Sequence, residues 1–169
     1  MQTAANSNDG EKAAARPLAE LLACSSEAAA LLSHSADIIS FDIGQRIFRQ
    51  GEPCRGLYLV VSGDLVRKAE RRKTRLTLGM ARTGDLLELA AALGDGIHTC
   101  TVTAQTQGVV MLLPLKNLQD AFLIYPPLRM RLLEELAREV SRSYVACFAV
   151  HFGRMRLLGH PPARTARAG

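Results

Sequence analysis

The sequence predicts a mainly β fold with added helix: a small barrel or jelly roll with a helix before it and a long helix after it. Two observations lead there. Glycines at Gly44, Gly51, Gly56, Gly63, Gly84, Gly94, Gly96 and Gly108 separate short aliphatic and β-branched runs, a pattern that reads as strands joined by tight turns. Beyond Pro114 the apolar residues recur every three or four positions, which is the helical period. Many short strands followed by helix argue against a parallel α/β sheet.

Taken in order, residues 1–16 are small, polar and alanine-rich, with no periodic apolar face, and a disordered tail is expected there. From Pro17, which suits a first helical turn, Leu18, Leu21, Leu22, Ala28, Leu31 and Leu32 keep helical spacing. Strands are expected at Ile38–Phe41 and Arg46–Arg49 around Gly44. Gly56–Ser62 is the most apolar run and reads as buried on both faces. Ser62-Gly63-Asp64 turns the chain into Leu65–Lys68, and Arg75–Leu78 alternates as a half-buried strand should. Leu86–Leu93 reads as a short helix stopped by Gly94-Asp95-Gly96, before strands His98–Ala104 and Val109–Leu113.

Lys116–Tyr125 is the next expected helix, and Pro126-Pro127 breaks it. Leu133, Leu136, Val140, Tyr144 and Cys147 then draw one apolar stripe along a helix that extends to about Leu158, ahead of Gly159 and Pro161. At 1.5 Å per residue such a helix reaches about 40 Å, longer than the barrel it follows. The stripe is therefore expected to pack against a second copy and make a homodimer. The domain reading is a tail at 1–16, a barrel domain at 17–125, a long helix at 126–158 and a disordered tail at 159–169.

Bulk composition narrows the function. With 169 residues and 48% apolar content, the chain holds one domain with a real core. No window approaches the ~18 apolar residues of a membrane span, and the start carries no export signal, so a cytoplasmic protein without membrane contact is expected. Cys24, Cys54, Cys100 and Cys147 lie far apart without a CxxC pair, which suits reduced thiols. The net charge is +5, with Arg67, Lys68, Arg71, Arg72, Lys73 and Arg75 in one stretch and Arg154, Arg156, Arg164 and Arg167 near the end. No aromatic residues interleave with these charges as base stacking would need, so a solvated hairpin tip and tail are expected.

The segments FDIGQRIFRQGEPCRGLYLVVSGDL, RTGDLLELAAAL and TVTAQTQGVVMLLPLKNL carry a resemblance. From about Ile38 to Tyr144 the chain resembles the cyclic nucleotide-binding domain of the Crp/Fnr family of bacterial regulators, most specifically at Gln50–Gly63 and Gly84-Asp85. The resemblance implies a jelly-roll sensor barrel, a short phosphate-binding helix within it, a long helix forming a parallel dimer, and a role in transcription regulation. It also implies a site in which the start of the short helix and an arginine fork hold a cyclic phosphate while a glutamate accepts from the ribose. Members that bind cyclic AMP read roughly G-E-L, then about eight residues, then R-S or R-T.

Without a gap, Glu88 falls on the glycine, Leu89 on the glutamate, His98 on the arginine and Thr99 on the small hydroxyl residue. A one-residue deletion instead puts Glu88 on the glutamate and loses the glycine. Both alignments remove the arginine, and a histidine offers no planar fork. The candidate ligand-binding residues are therefore Glu88, Leu89, His98, Thr99 and Cys100 in a degenerate pocket. A cyclic nucleotide is the only small molecule implied, no cofactor is required, and the effector stays unnamed.

Several further expectations complete the reading. Residues 154–169 are too short for the winged helix-turn-helix such regulators carry, so no sequence-specific DNA contact is expected of this chain. No catalytic motif is present and no enzyme is expected. His98, placed at a strand start on the barrel rim, would share a strand face with Cys100, and these two ligands alone define no metal site. A haem or redox sensor on the same fold is an alternative, with His151 as an axial candidate and Cys24 too isolated for a cluster. A purely structural dimerisation module is the other.

Overall fold

The structure, a computed structural model, describes Leu22, residues 26–71 and residues 74–158, the last stretch by its backbone alone from residue 143. In chain order the elements are α1 (Ser26–His34), β1 (Asp37–Phe41), β2 (Arg46–Phe48), β3 (Gly56–Ser62), β4 (Leu65–Arg71) and β5 (Thr74–Ala81). They continue with β6 (Leu86–Leu87), α2 (Leu89–Leu93), β7 (Thr101–Ala104), β8 (Gly108–Pro114), α3 (Leu115–Ile124) and α4 (Pro127–Leu158). Two compact units, Met1–Leu133 and Glu134–Gly169, divide the chain.

The most apolar segments set the architecture. β3 and β8 pair antiparallel, with Leu57 opposite Leu113 and Leu59 opposite Met111, and all four of these side chains are buried. Such continuous apolar runs need cover on both faces. One face turns Tyr58, Val60, Val110 and Leu112 into the barrel core, together with Phe41, Phe48, Leu65, Leu87, Cys100 and Val102. On the other side, α3 packs against β3 and β8, and α1 packs against α3. The strands form two four-stranded sheets, ordered β1-β8-β3-β6 and β2-β7-β4-β5, in which every pairing is antiparallel. This is the jelly roll the sequence predicts, and a long C-terminal helix follows it.

Two glycines serve close approach rather than turning. A Cβ at Gly56 would lie 2.0 Å from the Leu113 carbonyl oxygen, and one at Gly108 would lie 2.2 Å from that of Ser62. Only a bare Cα lets β3 and β8 come together at both ends of their ladder.

The structure corrects several expected elements. β5, an edge strand that pairs with β4 alone, is almost wholly exposed, including Leu76 and Leu78. The stretch 86–93 is not one helix: Leu86 and Leu87 pair with β3 before α2 begins at Leu89. β7 starts at Thr101, so His98, Thr99 and Cys100 precede the strand. The first helix is described at Leu22 and from Ser26, and Pro17, Leu18 and Leu21 lie outside the described residues, as do the tails at 1–16 and 159–169.

Candidate functional site

A loop pairing far apart in sequence builds the site. The Gly51–Cys54 segment runs beside Gly96–His98: the Gly51 N–H donates to the His98 carbonyl (2.9 Å), the His98 N–H to the Glu52 carbonyl (2.9 Å) and the Cys54 N–H to the Gly96 carbonyl (2.7 Å). Pro53 and Ile97 bridge between them. This pairing carries Cys54 and His98 to the same place, across a separation no local motif reveals.

His98 is buried, 3% exposed, and its ring lies flat on Phe48 with centroids 4.1 Å apart and planes 6° apart. Tyr58 closes against the same ring at 5.9 Å. The expected rim position is thus wrong. Because residues 98–100 turn inward before β7 begins, the imidazole enters the aromatic core instead of lining a strand edge. The shared strand face with Cys100 falls for the same reason.

Glu88 supplies the facing charge. It is the residue before α2, with φ 69° and ψ 28°, and no other described non-glycine residue has positive φ. A left-handed glutamate costs roughly 1–2 kcal/mol relative to the right-handed region. The conformation is one that glycine adopts freely and a glutamate rarely does. Its side chain turns inward and is 2% exposed.

The carboxylate is held from several directions. The Thr99 N–H donates to Oε2 (2.9 Å), the Thr99 hydroxyl to Oε1 (3.2 Å) and the Cys100 thiol to Oε1 (3.4 Å). His98 Nδ1 lies 3.1 Å from Oε2, near enough for an ion pair with a protonated ring. Nδ1 nonetheless makes no hydrogen bond.

Cys54 completes the cluster: its thiol donates to the Gly56 carbonyl (3.2 Å), and its sulfur, a Glu88 carboxylate oxygen and a His98 nitrogen all lie within 4.8 Å of one another. Burial raises the Cys54 pKa, and it pushes Cys100 and Tyr58 up to about 12 each, so all three stay protonated at neutral pH.

Of the residues singled out from the sequence, Glu88, His98, Thr99 and Cys100 converge in this cluster. Leu89 is buried as the first residue of α2, and its side chain offers no polar atom. Cys54 is the residue the sequence reading missed. On the long helix, Leu133 and Val140 are exposed and Leu136 is half-buried. The side chains of Tyr144, Cys147 and His151, together with Cys24, Arg72 and Lys73, lie outside the described residues. Among the described residues, no helix is long and apolar enough to cross a membrane.

Comparison with known proteins agrees with the fold. Residues 38–125 match the family model of the cyclic nucleotide-binding domain. The sensor domain of the transcriptional regulator DNR from Pseudomonas aeruginosa superposes with a TM-score of 0.70 at 20% identity, covering 79% of this chain and 93% of that one. The N-terminal domain of a transcriptional regulator from Streptomyces coelicolor A3(2) gives 0.60 at 26% identity, covering 79% and 94%. The catabolite activator protein of Thermus thermophilus gives 0.69 at 21% identity, covering 80% of this chain and 63% of that one. Among curated proteins, none matches the chain by sequence.

Proposed function

The chain belongs to the cyclic nucleotide-binding domain family, and from that premise we propose that it is a regulatory sensor barrel of the Crp/Fnr kind whose nucleotide seat is filled by its own Glu88 carboxylate. One observation carries this reading. The N–H and hydroxyl of Thr99, which the ungapped alignment sets at the small hydroxyl position of the cassette, both donate to Glu88. A nucleotide phosphate would have to displace an intramolecular anion, and it would find His98 where an arginine fork is needed.

The role that follows is binding and regulation without catalysis. On this reading the exposed Leu133 and Val140, seven positions apart on the long helix, join two copies in a homodimer. Any effect on transcription then runs through the dimer and its partners.

The test is isothermal titration calorimetry with cyclic AMP and cyclic GMP in the presence of a chelator. The expected result is no heat up to millimolar nucleotide for the wild-type chain. The combined variant Glu88→Gly, Leu89→Glu, His98→Arg rebuilds the G-E-L cassette and its arginine, and is expected to gain binding. Micromolar binding by the wild-type chain would overturn the reading.

A further inference from the structure

We propose that Cys54, Glu88 and His98 form a binding site for a thiophilic divalent cation of the zinc class, buried inside the barrel. The inference rests on the reading that the Glu88 carboxylate, not a nucleotide, occupies this seat. Three observations carry it. First, the donor set is one sulfur, one nitrogen and one carboxylate oxygen, all buried and all within 4.8 Å of one another. In a tetrahedral site with metal–ligand distances of about 2.0–2.3 Å, ligand atoms stand roughly 3–4 Å apart. The cluster therefore needs side-chain movements of about 1 Å to close on an ion.

Second, His98 Nδ1 is unpartnered. It is buried and makes no hydrogen bond, although a carboxylate oxygen lies 3.1 Å away. A buried ring nitrogen without a partner is costly, and an ion placed between nitrogen and oxygen removes that cost. Third, the surroundings already hold the ligands in place. The Thr99 N–H and hydroxyl fix the carboxylate, and the flat stack on Phe48 fixes the imidazole plane. Such outer contacts orient metal ligands and sharpen affinity.

Sulfur and imidazole select against magnesium and calcium and favour zinc, cobalt or copper-like ions. On binding, a metal–sulfur bond replaces the Cys54 S–H bond, and the proton leaves to water. Three protein ligands leave the fourth position to water. Cys100 contributes as a donor to Glu88 Oε1 and not as a ligand.

The experiment is titration of the full chain, stripped with chelator and reduced, with cobalt(II) alone. We expect one equivalent to bind with a thiolate-to-cobalt charge-transfer absorption. Cys54→Ser should abolish that absorption, His98→Gln should weaken binding at least tenfold, and Cys100→Ala should keep both the absorption and the affinity. Because a core variant can misfold, the wild-type chain gives a second readout: one equivalent of zinc should slow alkylation of Cys54, located by peptide mass, at least tenfold. Absence of the absorption, its survival in Cys54→Ser, or unchanged Cys54 alkylation would overturn the site. No nucleotide is present in this experiment. A cobalt failure thus leaves the proposed function standing, whereas heat with cyclic AMP removes that reading first.

Discussion

Glu88 combines an unfavourable backbone with a buried charge, and replacing it by alanine and by glycine separates the two. Alanine removes the carboxylate and its bonds from Thr99 and Cys100 but leaves a side chain at φ 69°. Hydrogen bonds to charged groups contribute roughly 1.5–3 kcal/mol each, and an unsatisfied donor costs about 1–3 kcal/mol. Thr99 is exposed, so water takes over part of its donors, and the carboxylate regains solvation in the unfolded chain. The net expectation for Glu88→Ala is a loss of about 3 kcal/mol. Glycine loses the same bonds but has no left-handed penalty, so Glu88→Gly should lose about 1 kcal/mol less. In an ordinary helical position the order is reversed, with glycine the worse residue by roughly 0.5–1 kcal/mol. The assay is urea unfolding followed by far-ultraviolet circular dichroism, with chelator present. With a slope of about 2 kcal/mol per molar urea, Glu88→Ala should shift the midpoint down by roughly 1.5 M and Glu88→Gly by roughly 1 M. A glycine variant less stable than the alanine variant would refute the left-handed backbone. A loss below ~1 kcal/mol for both would refute the bonded carboxylate.

Gly56→Ala places a methyl group 2.0 Å from the Leu113 carbonyl oxygen, which forces β3 and β8 apart, and we expect a loss of at least ~3 kcal/mol in the same urea assay. Alkaline pH should destabilise the chain. Cys100 and Tyr58 rise in the fold to about 12, from 9.0 and 10.0, so the stability they contribute is fully present below about pH 9 and is lost as the pH climbs toward 12. The urea midpoint measured in chelator should fall steadily from pH 9 to pH 11, and a flat profile would contradict the burial of both groups. On the long helix, Leu133→Asp with Val140→Asp should convert a dimer into a monomer by sedimentation at micromolar concentration. Both side chains are exposed, so thermal unfolding of the barrel should stay within about 0.5 kcal/mol of wild type. A wild-type chain that sediments as a monomer would remove the dimer from the proposed function.

The parts of the fold legible in the sequence are those dictated by local pattern. The continuous apolar run of β3 and the break at Pro126-Pro127 both appear where the residues place them. Alternation misleads at β5, where Leu76 and Leu78 look like one buried face. Burial there depends on a layer packed over that face, which alternation alone cannot reveal, and β5 at the edge of its sheet is left exposed. The site was half legible. Glu88, His98, Thr99 and Cys100 come from one contiguous cassette, and a resemblance is enough to single them out. Cys54 comes from a segment more than forty positions before His98, and only the pairing of Gly51–Cys54 with Gly96–His98 brings it in. Nor does spacing reveal that a glutamate at a glycine-like position turns its side chain inward. That depends on donors waiting at Thr99, and their aim is a property of the folded loop.

The two anomalies at Glu88 make sense together. On the proposed reading the Thr99 N–H and hydroxyl face an anion seat, and with that seat empty only water is left to take them. A carboxylate carried on the chain satisfies them permanently, at the cost of a left-handed residue and the desolvation of one charge. A tethered anion competes at an effective concentration on the order of millimolar or above, so an external phosphate needs much more than two hydrogen bonds to displace it. A cation is under no such handicap. It adds to the carboxylate instead of replacing it, takes up the free nitrogen of His98, and leaves the Thr99 donors where they are. On the two proposals together, the carboxylate that would close the seat to a nucleotide would also be the first ligand of the metal site, and the imidazole nitrogen without a hydrogen bond is where the two effects meet.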